Sequence, residues 1–226
     1  MNELALFAGA GGGILGGKLL GWRTICAVEW EPYAASVLAA RQNDGLLAPF
    51  PIWDDVCTFD GRPWRGIVDV VSGGFPCQAY STAAAGKNTS DDLWPEMRRI
   101  VADVAARYVF AENVSKRAIN WAADDLESMG YVVRCVEISA ADMGADHIRG
   151  RYWLLAYADN DCELLRAVNA KASQLQSVAE SLWSREPECL RVPDGVAARV
   201  DRLKAIGNGQ VPLCAATAWQ LLTETA

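Results

Sequence analysis

Cys77 stands in the run Ser72-Gly73-Gly74-Phe75-Pro76-Cys77-Gln78, directly after the apolar stretch 67–71. A strand that ends in small residues and a proline presents one thiol at a sheet edge. The edges of open α/β sheets are where ligands bind and reactions take place. A thiol so placed becomes a nucleophile when its pKa falls or when a substrate accepts it. The competing reading is a buried, inert cysteine, the usual state of a free cysteine. A second candidate group is the glycine-rich turn Gly9-Ala10-Gly11-Gly12-Gly13. Glycines let the backbone approach a ligand, and the N-terminus of the next helix favours negative charge. Glu29 follows about 20 residues on, where a carboxylate accepts hydrogen bonds from ribose hydroxyls.

These residues need strands and helices to hold them. The pattern predicts strands over 4–7, 24–28, 67–71, 108–111, 131–138 and 152–158. It predicts helices over 14–20, from Pro32 to about residue 41, and over 94–107, 119–129 and 212–222. Pro32 suits a first helical turn, and Gly130 ends the helix before it. Strands alternating with helices indicate an α/β fold with a doubly wound, mostly parallel sheet. The stretch 159–200 differs. It is polar, weakly periodic and contains Pro187, Pro193 and Gly195, so it reads as an irregular excursion from the sheet with one short helix near 170–182. On this reading the strand–glycine turn–helix unit is a nucleotide cradle. It suits a nicotinamide cofactor and S-adenosylmethionine equally.

The chain has 226 residues, 51% of them hydrophobic, enough for one large core. Its seven cysteines are odd in number and none has C-x-x-C spacing, which fits a reduced cytoplasmic protein better than a disulfide scaffold. The start, Met1-Asn2-Glu3-Leu4, lacks the basic region of a signal peptide. No apolar run reaches the roughly 18 residues of a spanning helix, so no membrane partner is expected. His147 is the one histidine, which nearly removes histidine-based metal sites; no metal is expected. The net charge of −7 argues mildly against nonspecific polyanion binding without excluding a local basic face.

Taken in order, the motifs resemble those of the DNA (cytosine-5)-methyltransferases. Phe7-Ala8-Gly9-Ala10-Gly11-Gly12 resembles that family's S-adenosylmethionine loop. Glu29, with Trp30 beside it, resembles the ribose-binding acid, and Asp55-Val56 the acid that reads the adenine amino group. Pro76-Cys77-Gln78 resembles the start of the catalytic loop, and Glu112-Asn113-Val114 matches the second catalytic motif. His147-x-Arg149-x-Arg151 resembles a motif usually written Gln-x-Arg-x-Arg. Gly207-Asn208-Gly209-Gln210-Val211-Pro212 resembles the final motif, which folds back beside the cofactor.

The resemblance implies a Rossmann-like methyltransferase fold and S-adenosylmethionine as cofactor. The implied cofactor residues are Phe7 to Gly12, Glu29, Trp30, Asp55, Val56, Pro76, Leu93, Asn208 and Gly209. It implies double-stranded DNA as partner and Cys77, Glu112, Arg149 and Arg151 as catalytic residues. Thiolate attack on carbon 6 would make cytosine enamine-like at carbon 5. Glu112 would share a proton with ring nitrogen 3, which needs a pKa raised by burial. Arg149 and Arg151, one residue apart in an extended segment, share a face. One would hold the base carbonyl and the other a phosphate or Glu112. Asn113 would support the loop that carries Cys77. The small, polar stretch 79–92 resembles the mobile loop that closes over a flipped base, with Gln78, Ser81 and Lys87 as DNA contacts. His147 stands where glutamine is usual.

The chain departs from the family between the arginine motif and the final motif. Roughly 40 residues are available there, too few for an independent recognition domain of ordinary size. The expected organisation is a catalytic core over 1–158, a reduced recognition segment over 159–200 and a returning segment over 201–226. Trp183, Arg185, Arg191 and Arg199 are the candidate DNA contacts there. Such an enzyme reads a very short site or takes its specificity from another chain, and it suits a prokaryotic or phage-encoded cytoplasmic protein. An RNA cytosine methyltransferase and a non-catalytic DNA-binding partner subunit are the alternatives.

Overall fold

The computed structural model describes residues 1–76, 92–146, 148–158, 201, 205 and 207–224. Their strands are β1 (Asn2–Leu6), β2 (Arg23–Val28), β3 (Ile52–Trp53), β4 (Val70–Gly74), β5 (Tyr108–Asn113), β6 (Tyr131–Ser139) and β7 (Gly150–Ala158). The helices are α1 (Gly12–Leu19), α2 (Pro32–Asn43), α3 (Trp94–Val104), α4 (Lys116–Ser128) and α5 (Pro212–Glu224). The strands form one sheet in the order β3-β2-β1-β4-β5-β7-β6. All neighbours are parallel except β7, which runs antiparallel to both β5 and β6.

Side-chain alternation along the strands explains the two covered faces. Leu4, Leu6 and Val71 join Trp94, Met97, Ile100 and Val104 of α3 and Ile119 and Leu126 of α4 in one core. Ala5, between two of those leucines, faces Ile14 of α1 and Leu38 of α2. Val70, beside Val71, faces Trp219 and Leu222 of α5 together with Trp153 and Leu155 of β7. The sheet is therefore wound on both sides, with α3 and α4 on one face and α1, α2 and α5 on the other. The buried positions of α3 at 94, 97, 101 and 104 recur at helical spacing. Each such side chain contributes about 1.5–3 kcal/mol by leaving water.

Most predicted elements are present with shifted ends. The strand expected over 67–71 runs instead over Val70–Gly74, and Ile67 lies outside it at 52% exposure. Glycine and serine lack the apolar character that marks a strand, but buried pairing with β1 and β5 extends β4 through Gly73 and Gly74. The helix expected over 94–107 ends at Val104, where Ala105 turns into the left-handed region at φ 50°. β3 has two residues, too few to show a period, and is held by pairing with Ala27 and Val28. The stretch 159–200, where an irregular segment with one short helix is expected, lies outside the described residues.

Candidate active site

The parallel strands β1, β2, β4 and β5 bring their carboxyl ends to one edge. The connections from β1 diverge there, since β2 lies on one side of it and β4 on the other. A crevice opens at such a switch point. It is lined by Phe7, Ala8 and Gly9 after β1, Ser72 to Gly74 of β4, and Asn208 to Gln210 before α5. Phe7 and Gly9 take positive φ of 51° and 55° to make the turn. Gly12 lies directly under the Gln210 carbonyl, where any Cβ would collide with it. The glycine run therefore serves two purposes: it turns the chain, and it lets the segment 207–210 lie against the start of α1.

Glu29 is buried at the end of β2. Its Oε2 accepts from the Gly9 amide at 2.6 Å and its Oε1 from the Glu31 amide at 2.8 Å. An ionised carboxylate keeps further lone pairs for hydroxyl donors. Trp30, next in the chain, is 69% exposed. β3 sets Trp53 beside Val28 and leads into the turn that carries Asp55. Asp55 Oδ1 accepts from the Cys57 amide at 2.8 Å, and Val56 is buried. That turn is fixed from α3 by Arg99, which donates to the Val56 and Phe59 carbonyls at 2.9 and 3.0 Å. The sequence gives no hint of this role, because Arg99 lies some 40 residues from its partners and reads as a surface charge.

The second half of the edge holds the catalytic candidates. Glu112, next to last in β5, is buried, and antiparallel pairing of β5 with β7 puts Trp153 opposite it. Arg151 therefore arrives at the same edge from the start of β7. Its Nε stands 2.9 Å from Glu112 Oε1, an ion pair by distance, although Oε1 has no hydrogen-bond donor among the described residues. Arg151 spends an Nη1 hydrogen on the Gly150 carbonyl at 2.8 Å. Burial pushes the Glu112 carboxyl above its ordinary pKa; the Arg151 charge, the Gln210 hydrogen bond and the Arg149 charge pull the other way. Arg149 donates through Nη2 to the Gly207 and Gly209 carbonyls, both at 2.6 Å. Its guanidinium thus clamps the final motif, while of the two arginines it is Arg151 that reaches Glu112 as an ion pair.

Asn113 is 3% exposed and works on the loop ahead of Cys77. Its Nδ2 donates to the Phe75 carbonyl at 2.8 Å, and its Oδ1 accepts from the Ser115 amide at 2.9 Å. One residue later, the Pro76 carbonyl accepts from the Leu93 amide at 3.4 Å, so the two ends flanking 77–91 lie side by side. Cys77, Gln78, Ser81, Lys87, His147 and Arg185 lie outside the described residues. Among the cysteines that are described, Cys26, Cys135 and Cys214 have thiols pushed up to about 11 by burial, and that of Cys57 is also raised. None of these four carries an activated thiol. No cluster of three or more potential metal ligands occurs among the described residues. No helix among them is long and apolar enough to cross a membrane.

The sheet order with its single reversed strand, the glycine turn and the crevice define a Rossmann-like methyltransferase fold. Solved structures agree. A prophage-encoded Escherichia coli protein assigned as a DNA modification methyltransferase superimposes with a TM-score of 0.56 at 24% identity, over 70% of this chain and 47% of the other. Dnmt2 methyltransferase of S. pombe gives 0.55 at 19% identity, over 73% and 55%. The chain itself belongs to the C-5 cytosine-specific DNA methylase family, whose pattern matches residues 1–192. Among similar proteins, the type II methyltransferase M.NgoMIV of Neisseria gonorrhoeae is 28% identical over 80% of this chain and 60% of its own length. M1.HphI of Haemophilus parahaemolyticus is 31% identical over 70% and 46%. The chain matches between about half and three fifths of the length of these two relatives.

Proposed function

We propose that this protein transfers a methyl group from S-adenosylmethionine to carbon 5 of cytosine in double-stranded DNA, with Cys77 as the nucleophile. The observation that carries this reading is the buried Glu112, its carboxyl held between Arg151 and Gln210 at the edge where β4 delivers Pro76.

The crevice fits the cofactor. Its glycine floor admits close backbone approach, Glu29 offers lone pairs to ribose hydroxyls, and Asp55 and Trp30 flank the β2 end for the adenine. Phe7 to Gly12, Val56, Pro76, Leu93, Asn208 and Gly209 complete the set that would hold it. When bound, S-adenosylmethionine supplies an electrophilic methyl.

The protein's residues prepare the base. The Cys77 thiolate adds to carbon 6, and the electron pair displaced from the ring double bond is delocalised toward nitrogen 3. Glu112, whose carboxyl burial pushes above its ordinary pKa, gives its proton or a hydrogen bond to that nitrogen, and the ring becomes a nucleophile at carbon 5. After methylation, loss of the carbon 5 proton to a base, expulsion of the Cys77 thiolate and return of the nitrogen 3 proton to Glu112 restore the aromatic ring. Arg151 balances the carboxylate that Glu112 becomes, and Asn113 fixes the carbonyl of Phe75 two residues before Cys77.

The remaining parts of the reading are finer. The segment 159–200, with Arg185, selects the cytosine or cedes that role to another chain. The names of the type II relatives suggest a place in bacterial or phage restriction–modification, inside the cytoplasm. The test is transfer of labelled methyl to duplex DNA and to transfer RNA by the wild type and by Cys77→Ala. Transfer to duplex DNA alone, lost in the variant with cofactor binding intact, is the expected result. Preference for transfer RNA, or undiminished transfer by Cys77→Ala, would overturn it.

A further inference from the structure

Gln210 lies between the clamped glycines and Pro212, at the entry to α5. One residue here touches three parts of the site. Its carbonyl covers Gly12, and its side-chain oxygen covers Gly13 at the start of α1. Its amide nitrogen donates to Glu112 Oε2 at 3.4 Å. Gly74 leaves the room for this, since a Cβ there would stand 2.7 Å from Glu112 Oε2 and 3.0 Å from Gln210 Nε2. The two oxygens of Glu112 thus have different partners: Oε1 faces Arg151, and Oε2 faces Gln210. Arg149 holds the carbonyls of Gly207 and Gly209, so the base of the Gln210 arm is fixed from the β7 side.

We propose that Gln210 is a positioning residue that couples the cofactor crevice to Glu112: filling the crevice withdraws the Gln210 amide from Oε2. This rests on the reading of the crevice as the cofactor site. Gln210 is part of the crevice lining, as are Gly13 and Gly74, so a ligand there meets its side chain directly. The hydrogen bond it gives up is a long one, which a ligand can outcompete. Donation to a carboxylate favours the ionised form, so its withdrawal favours the protonated form. That is the form Glu112 needs to face a ring nitrogen. Other charged groups facing Glu112 are Arg151 and Arg149. By linkage, protonation of Glu112 must strengthen cofactor binding to the same extent that binding strengthens protonation. Cofactor occupancy therefore readies the acid before the base arrives.

Calorimetry with S-adenosylhomocysteine on the full chain tests this without turnover. For the wild type, binding takes up protons, and affinity is at least about threefold tighter at about pH 5.5 than at about pH 8.5. Gln210→Leu removes the donor and abolishes the proton uptake, as does Glu112→Gln. If Gln210→Leu fails to fold, Gln210→Asn, too short to reach Oε2, carries the same expectation. Proton uptake in a folded Gln210 variant equal to the wild type would overturn the coupling, as would a wild type that binds with no proton uptake or does not bind at all. Methyl transfer to duplex DNA is measured on the same wild-type preparation. Absence of transfer with intact, Gln210-dependent proton uptake would defeat the cytosine reading and leave the coupling standing. Transfer without the uptake would do the reverse.

Discussion

Glu112 shows how burial and pairing together set a chemical role. A carboxyl removed from water resists ionisation, and Arg151 at 2.9 Å only partly offsets that. Replacing it with glutamine keeps the size and removes the proton donor. Glu112→Gln should lower the methyl-transfer rate by about 10²-fold or more, the usual worth of a general acid, while cofactor affinity loses its dependence on pH. Single-turnover transfer and calorimetry check both halves. Gly74 makes a sharper claim about space. Gly74→Ala places a methyl 2.7 Å from Glu112 Oε2 and should cost about 10²-fold in rate, because misplacement by about 1 Å is enough, while the melting curve stays cooperative. Arg149→Ala removes the donor to two carbonyls and should weaken S-adenosylhomocysteine binding about tenfold, in keeping with a charged hydrogen bond of about 1.5–3 kcal/mol. Equal affinity in that variant would assign Arg149 to the substrate instead. At this scale the sequence motifs named residues that the fold brings together. Glu112, Arg151, Glu29 and the glycine loop all meet at one edge. Gln210 and Arg99 were not legible as site residues, because their partners are distant in sequence and neither glutamine nor a helical arginine carries a chemical signature of its own.

The elements explain why the edge is rigid. β1 carries Glu3, 1% exposed, whose carboxylate accepts from Thr24 Oγ1 on β2 and Ser72 Oγ on β4, both at 2.6 Å. Three central strands are thereby cross-linked below the crevice. Burial pushes the Glu3 pKa up to about 7, against the two hydrogen bonds that lower it. The folded protein thus holds the Glu3 proton more tightly than the unfolded chain does. Its contribution to stability is fully present below about pH 4.5 and is lost as pH rises to about 7. A difference of this size corresponds to about 3 kcal/mol. Glu3→Gln should therefore raise the melting temperature at about pH 8 by several degrees and change it little at about pH 4.5. A uniform shift at both would show that the strand cross-link, not the charge, is at stake. The strand pattern was legible because the parallel strands are buried on both faces and read as apolar runs. The end of β4 was not, since Ser72-Gly73-Gly74 owes its strand geometry to its neighbours β1 and β5.

For the whole molecule, the described residues form a doubly wound seven-stranded sheet that gathers the candidate site at one edge, and the family match runs over residues 1–192. The division into a core over 1–158, a recognition segment over 159–200 and a return over 201–226 is our proposal for how that edge meets DNA. Part of the return is described: α5 packs on β7 and α1, and Arg149 ties its approach to the core. On the proposed DNA substrate, a net charge of −7 favours a small phosphate footprint. A small phosphate footprint predicts that log affinity falls with log salt less steeply than about −4, equivalent to four or so neutralised phosphates. A steeper slope, measured by fluorescence anisotropy, would mean that a second, extended basic face is in play. The central claim concerns cytosine itself, and sequencing modified bases in plasmid DNA from cells that express the chain tests it most directly. The account predicts 5-methylcytosine at a short recurring site in cells with the wild type and none with Cys77→Ala; unmodified DNA in both, from a protein shown to bind S-adenosylmethionine, would contradict it.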